Sequence, residues 1–307
     1  MNKTYLFYGF GAEYVLHPLY TEMMAKGYHC IEIDPLAQAD SKKQIEQLKG
    51  QEVVFITSAH FLLNEKNFGY FYDSQNHFYG TLEVLSLLRP KASVFVPHDL
   101  TQPLIDYEKE YLNQFTAFCS PCEPFTSTYA HYTKSIEMGW IKYKQKPKTI
   151  LRKQGALWFL SDFVLHLNWG VEKSFELLEP ILSQGISIKF PLWPGCETFE
   201  TYFTEKGIHV FPSSENSIDL ILAHDIILTN GLSSIVAESY FLGKTTVNIM
   251  EGSHYGDEKK YLKSLFPRLI FIPTLRSFDL RDIPIKSQKP VLQPFKMATM
   301  VQFLSEL

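Results

Sequence analysis

With 307 residues, 45% hydrophobic and 20% charged, the chain has the composition of a soluble globular protein long enough for two domains. A formal charge of -4 argues against binding nucleic acid through a global basic field, and no nucleic-acid partner is expected. Four cysteines are too few to staple such a chain. The opening MNKTYLFYGFGAEY lacks an apolar core of signal-peptide length, and no run approaches the roughly 18 apolar residues of a spanning helix, so a cytoplasmic location is expected.

From the N-terminus, short β-branched and aromatic runs alternate with segments of helical apolar spacing. TYLFYGF, YHCIEID, EVVFITS, SVFVPH and FTAFCSP read as strands, and Tyr14 to Lys26 and Thr81 to Leu88 as intervening helices. Strand followed by helix, repeated, means a parallel sheet covered on both faces. WIKYKQKPKTILRK, residues 140–153, then carries six basic residues and no acid. It suits a solvated linker, and it is also the candidate surface for peripheral contact with a membrane. A second series follows, with ALWFLSDF, ISIKFPL, IHVFPS, DIILTN, TTVNI and LIFIP as strands. Helices are predicted at Val171 to Ser183, Thr198 to Lys206, Ser217 to Ala223 and Ser234 to Leu242. The final FKMATMVQFLSEL reads as a terminal helix that crosses back onto the first domain. Two similar α/β domains are therefore predicted, 1–143 and 149–307, joined by a Pro- and Lys-rich linker.

Ligands of parallel sheets sit outside the carboxyl ends of the strands, and two such sheets facing one another enclose a cleft. The candidate positions are Gly9 to Glu13, Ser58 to His60, His98-Asp99, Ser161-Asp162, Pro191 to Gly195, Pro212 to Ser214 and Asn230 to Ser234. The last is the most informative. In ILTNGLSSIVAESYFLGKTTVNI a β-type run breaks at Asn230-Gly231, two serines follow, and a helical segment carries one carboxylate, Glu238. Unsatisfied N–H groups around Ser233 and Ser234 would point out of the helix N-terminus, where a phosphate is favoured. Glu238, one turn further on, would repel that phosphate but could accept hydrogen bonds from the hydroxyls of an adjoining ribose. The same residues also suit an ordinary serine cap with a carboxylate in the first turns.

TNGLSSIVAESYFLGKTTVNI resembles the nucleotide-binding unit in the C-terminal domain of GT-B glycosyltransferases. The resemblance implies two Rossmann-like domains facing across a cleft, with donor phosphate held by Ser233 and Ser234 beside Asn230 and Gly231, and ribose held by Glu238. Gly243-Lys244 matches the family's Gly-Lys, with Thr245 where proline is usual. SVFVPHDLTQPL, FTAFCSPCEPF and MGWIKYK are similar to the N-terminal domain of CDP-glycerol glycerophosphotransferase-like proteins. His98 matches the histidine of that group, whereas Asp99 replaces the following glycine and Phe190 replaces the histidine of a later His-Pro.

On this resemblance His98, with Asp99 beside it, is the candidate base that deprotonates an acceptor hydroxyl, because its pKa lies near neutrality. Phe211 and Pro212 fall where relatives hold the nucleotide base, although the SSENS that follows is also a good helix cap. Ser161 is assigned with them to the donor. Gly9, Gly11 and Glu13 form the expected acceptor-side loop. GxG without a third glycine, Tyr14 standing there, is not a dinucleotide fingerprint. HExxH, P-loop, GxSxG and DxD motifs are absent, no metal site is expected, and Cys119 and Cys122 read as structural. The expected activity is metal-independent transfer of a sugar, or of glycerol phosphate, from a UDP- or CDP-linked donor to a glycan or lipid-linked acceptor in surface polysaccharide synthesis. No bound cofactor is expected. Alternatives are a UDP-sugar 2-epimerase or hydrolase of the same fold, and a catalytically silent binding protein that kept the fold.

Overall fold

A computed structural model describes residues 3–9, 15–35, 40–58, 79–100, 112–144, 155–160, 168–192, 194–231, 233–249, 256–286 and 288–307. The chain divides into two compact units. One comprises Met1–His98, Gln102–Lys146 and Gln293–Leu307, and the other Asp99–Thr101 and Pro147–Leu292.

The first unit contains β1 (Thr4–Tyr8), α1 (His17–Ala25), β2 (His29–Ile33), α2 (Ser41–Gln47), β3 (Val53–Thr57), α3 (Thr81–Leu88), β4 (Ala92–Phe95), β5 (Ala117–Ser120), α4 (Glu123–Tyr129) and β6 (Lys134–Glu137). Its strands run parallel in the order β2-β1-β3-β4-β5-β6. Every residue of β1, β3, β4 and β5 is buried. That is the signature of central strands covered on both faces, and it explains why these runs read as continuous apolar segments. The strand β6 was not foreseen, because an edge strand written KSIE is only half-buried and carries no apolar run.

The second unit contains β7 (Ala156–Phe159), α5 (Val171–Leu182), β8 (Ser187–Lys189), α6 (Cys196–Glu205), β9 (Val210–Phe211), α7 (Ser217–Ala223), β10 (Ile226–Asn230), α8 (Ser234–Phe241), β11 (Thr245–Ile249), α9 (Gly256–Leu265) and β12 (Ile270–Ile272). These strands are also parallel, in the order β12-β11-β10-β7-β8-β9. Trp158, Leu228 and Val247 from the sheet pack with Phe175 and Leu178 of α5 and Phe199 and Phe203 of α6 in one core. Two short 3-10 turns, Leu275–Ser277 and Leu280–Asp282, follow β12.

The terminal helix α10 (Met297–Glu306) returns to the first unit, as its sequence suggested. Met300, Val301 and Leu304 are its buried stripe, and the helix lies against α1. The returning segment is strapped to the first unit by backbone bonds: Trp140 N–H donates to Gln293 O at 2.9 Å, Phe295 N–H to Tyr143 O at 2.8 Å and Lys296 N–H to Met138 O at 2.8 Å. Gly139 makes this approach feasible. Its φ is +82°, and a Cβ there would lie 2.2 Å from Pro294 O.

The strap also changes the reading of the basic stretch. Trp140, Ile141 and Tyr143 are buried in the first unit, with Lys142 over the Trp140 ring at 5.3 Å, so the apolar residues that open WIKYKQK serve its core. Residues 145–154 lie outside the described set. No helix among the described residues is long and apolar enough to cross a membrane.

Candidate functional site

A strand order that reverses direction leaves a crevice at the carboxyl ends of the two strands where it reverses. In the second unit the chain moves outward from β7 to β8 and β9, then returns to place β10 on the other side of β7. The crevice therefore lies between the ends of β7 and β10. The segment Asn230–Gly231 and Ser233–Ser234 leaves β10 at that point.

Local chemistry shapes this loop. Gly231 adopts φ +66°, a left-handed conformation that a side chain would strain. Ser233 is the N-cap of α8, extended at φ -146° and ψ 144°, and its hydroxyl accepts from Ile235 N–H at 3.3 Å. Ser233, Ser234 and Ile235 are half-buried, so the start of the helix remains accessible. Ser234 Oγ donates to Glu238 Oε1 at 2.8 Å, and Glu238 is only 1% exposed. The two residues assigned to different parts of a nucleotide are thus partners of one another, four positions apart on one helix face. Behind the loop, Asn248 of β11 donates from Nδ2 to Gly231 O at 2.9 Å and to Thr229 Oγ1 at 3.1 Å.

The other predicted donor residues divide. Phe211 is buried, with its ring 4.5 Å from that of His209 and 5.5 Å from that of His224, both edge-on, so its side chain packs inside the unit and only its backbone is left to meet a base. Pro212 is exposed just after it. In the segment SSENS it is Asn216 that caps α7, accepting from Ile218 N–H at 2.8 Å and Asp219 N–H at 3.2 Å. Ser161 lies outside the described residues. Phe190, standing in place of a histidine, is 1% exposed and packs edge-on to Phe203 with ring centroids 5.2 Å apart. The phenyl ring there contributes packing to the core.

Sequence reading missed Lys189, the last residue of β8. It is 5% exposed, and its Nζ donates to Ser213 O at 2.6 Å while Ser213 N–H donates to Glu200 Oε1 at 2.8 Å. Opposite charges thus hold both polar groups of one peptide residue in the loop after β9. Burial holds the lysine pKa below its ordinary value, against the raising effect of Glu200 and Glu215. Its spacing in SIKFP gave no sign of this, because a lysine at a strand end reads as exposed.

In the first unit the order reverses between β1 and β3. Gly9 follows β1 and donates its N–H to Ile33 O at 3.2 Å, whereas Gly11 and Glu13 lie outside the described residues. His98, half-buried after β4, donates from Nδ1 to Ser58 O at 2.7 Å, at the end of β3. A backbone carbonyl can only accept, so Nδ1 carries a proton, which in the neutral ring leaves the lone pair on Nε2. That tautomer suits a general base. Asp99, the next residue, is half-buried. His17 pairs with Glu32 at 3.1 Å. All four cysteines are buried and outside any disulfide, and among the described residues no group of three His, Cys, Asp or Glu is placed to hold a metal ion.

No protein-family model and no curated protein sequence matches the chain. Solved structures do. UDP-GlcNAc 2-epimerase from Methanocaldococcus jannaschii, in complex with UDP-GlcNAc and UDP, is 13% identical and aligns with a TM-score of 0.55 over 99% of this chain and 100% of its own. The S. aureus MnaA structure with UDP aligns with a TM-score of 0.54 at 12% identity, over 99% and 96% of the two chains. Acinetobacter baumannii MurG aligns with a TM-score of 0.51 at 10% identity over the full length of both. At this identity the likeness establishes architecture: the chain has the GT-B fold, built of two Rossmann-like domains. These three structures include no glycerophosphotransferase, so the finer likeness to that group rests on the sequence motifs alone.

Proposed function

We propose that the protein is an enzyme acting on a nucleotide-activated sugar, and that it transfers the sugar to an acceptor hydroxyl. The observation that carries this reading is the Ser234–Glu238 pair behind the left-handed turn at Gly231, set at the strand-order reversal of the second sheet. In the proposed donor site, N–H groups at the start of α8 and the hydroxyls of Ser233 and Ser234 take the diphosphate. Glu238 exchanges its bond from Ser234 for bonds from ribose hydroxyls. His98, with its lone pair on Nε2, serves as general base toward the acceptor. The donor is a substrate, and no resident cofactor forms part of the proposal. The acceptor is a glycan or a lipid-linked glycan, as the sequence resemblance implies, and cytoplasmic synthesis of surface polysaccharide is the proposed setting. Glycerol phosphate as the transferred group rests only on the N-terminal motifs.

Two of the structures described above are complexes with UDP, which makes UDP the first nucleotide to test. A second reading, epimerisation of a UDP-sugar, is favoured by the likeness to UDP-GlcNAc 2-epimerase. A thermal-shift screen against UDP, CDP, GDP, CMP and their sugar and glycerol conjugates tests the donor site. A ligand at 100 times its Kd stabilises the native state by about 2.7 kcal/mol, and the shift should vanish in Glu238→Ala. Incubation with the stabilising conjugate then separates the two activities. A transferase releases free nucleotide in proportion to added acceptor, whereas an epimerase interconverts the sugar without one. Stabilisation by none of these compounds would leave the silent binding protein as the better account.

A further inference from the structure

Asn248 is an anomaly in its strand. All five residues of β11, TTVNI, are buried, and Asn248 itself is 0% exposed. The neighbouring buried hydroxyl of Thr246 is matched locally, donating to Ser239 Oγ at 3.0 Å. Asn248 is matched on one side only. Its Nδ2 donates to Thr229 Oγ1 and to Gly231 O, while its Oδ1 is buried and has no hydrogen-bond partner among the described residues. Gly231 O can only accept, so the nitrogen must face it and the orientation of the amide is fixed. A buried amide oxygen without a donor costs stability, so the work of this side chain lies in what its nitrogen holds.

What it holds is the first carbonyl beyond β10. The register sets Asn248 opposite Thr229, so its amide reaches one turn of the loop past the strand end. An outward-facing carbonyl at the mouth of α8 would repel an anion drawn there by the helix dipole and the open N–H groups. The bond at 2.9 Å turns the Gly231 carbonyl inward instead, under the loop. We propose that Asn248 is a positioning residue that keeps the Gly231–Ser234 loop competent for a diphosphate. This inference rests on the donor-site reading given above and adds to it a residue outside the loop.

The test compares UDP, inorganic diphosphate and uridine by calorimetric titration of the wild-type protein, Asn248→Leu and Thr229→Val. Leucine keeps the volume of the side chain and removes its donor. The expected result is a loss on the order of 10-fold or more for UDP and for diphosphate in Asn248→Leu, with uridine binding unchanged. A merely structural asparagine would leave the ratio of UDP to uridine affinity where it was. Folded Asn248→Leu that binds UDP within about twofold of the wild type overturns the proposal. If Asn248→Leu loses its cooperative melt, Thr229→Val decides, since it removes one of the two acceptors that orient the amide. A phosphate-selective loss there supports the inference, and unchanged affinities overturn it. Failure of the wild type to bind either UDP or diphosphate removes the donor reading itself, and this inference with it.

Discussion

Ser234 and Glu238 are bonded to each other at 2.8 Å within the first turn and a half of α8, and the carboxylate is almost wholly buried. The pair resolves a tension in the sequence, where a lone carboxylate stands behind a serine-capped loop. In the absence of a ligand the serine supplies the donor that a buried carboxylate needs. Glu238→Gln retains an oxygen that can accept from Ser234 and should fold normally while weakening nucleotide binding. Glu238→Ala should abolish the thermal shift given by the cognate nucleotide. Ser234→Ala leaves the carboxylate without this donor and should cost about 1–3 kcal/mol of stability in denaturant unfolding. Equal stability in Ser234→Ala and wild type would show that Glu238 does not depend on this bond.

His98 is positioned by its Nδ1 bond to Ser58 O. His98→Ala should lower turnover by roughly 10²–10⁴-fold while nucleotide affinity stays at the wild-type level. Steady-state rates together with calorimetric titration check both halves. Turnover within a few-fold of wild type would sink the assignment of the base.

Lys189 gives a pH signature. Burial lowers its folded pKa below the ordinary lysine value of 10.5, while the unfolded chain keeps that value. Between the two the unfolded state binds more protons, so this residue makes stability rise with pH through that window. Below the window both states are charged and the cost of burying the ammonium is fully present. Unfolding free energies measured through the alkaline range below pH 10.5 should show a smaller upward contribution in Lys189→Met than in wild type. Parallel curves would count against a perturbed lysine.

The buried thiols should be inert. Burial raises Cys30 to about 11, Cys122 to about 12 and Cys119 further still. A disulfide reagent at mildly alkaline pH should label them only as fast as the protein opens, and all four should react at once in denaturant. Rapid labelling of the native Cys119–Cys122 pair would point to a redox-active CxxC.

Much of the architecture could be read from the sequence because central parallel strands are continuous apolar runs, as TYLFY at Thr4–Tyr8 and VVFIT at Val53–Thr57 show. The helices Thr81–Leu88 and Ser217–Ala223 were likewise marked at both ends by their spacing. Strand β6 was hidden by its polar edge composition, and α4 by a short segment, EPFTSTY, rich in residues that favour other conformations. At the candidate site, Ser234 and Glu238 were legible because helix periodicity alone makes them neighbours. Asn248 and Lys189 were not. The role of Asn248 depends on its register against Thr229 in another strand, and that of Lys189 on a loop that comes later in the chain. Phe190 could be seen as a departure, but only its packing against Phe203 shows that the position has been absorbed into the core.

Gly139 adds a further prediction. Alanine there would bring a Cβ to 2.2 Å from Pro294 O at a φ of +82°, so Gly139→Ala should destabilise by more than about 1 kcal/mol and should loosen α10. Hydrogen exchange of the amides of Trp140, Phe295 and Lys296 reports this directly. Protection equal to wild type would mean that the strap tolerates the side chain.

The same strap sets an order of events during synthesis. The second unit is written into the chain as an insertion, since residues of the first unit lie on both sides of it. The ribosome delivers α10 only after β7 to β12 have emerged. Until then α1 lacks the helix that lies against it, and Trp140, Phe295 and Lys296 lack the cross-bonds that join the two passages of the chain. The first unit, whose sheet is complete by Glu137, therefore receives its last helix only after every strand of the second unit has been made.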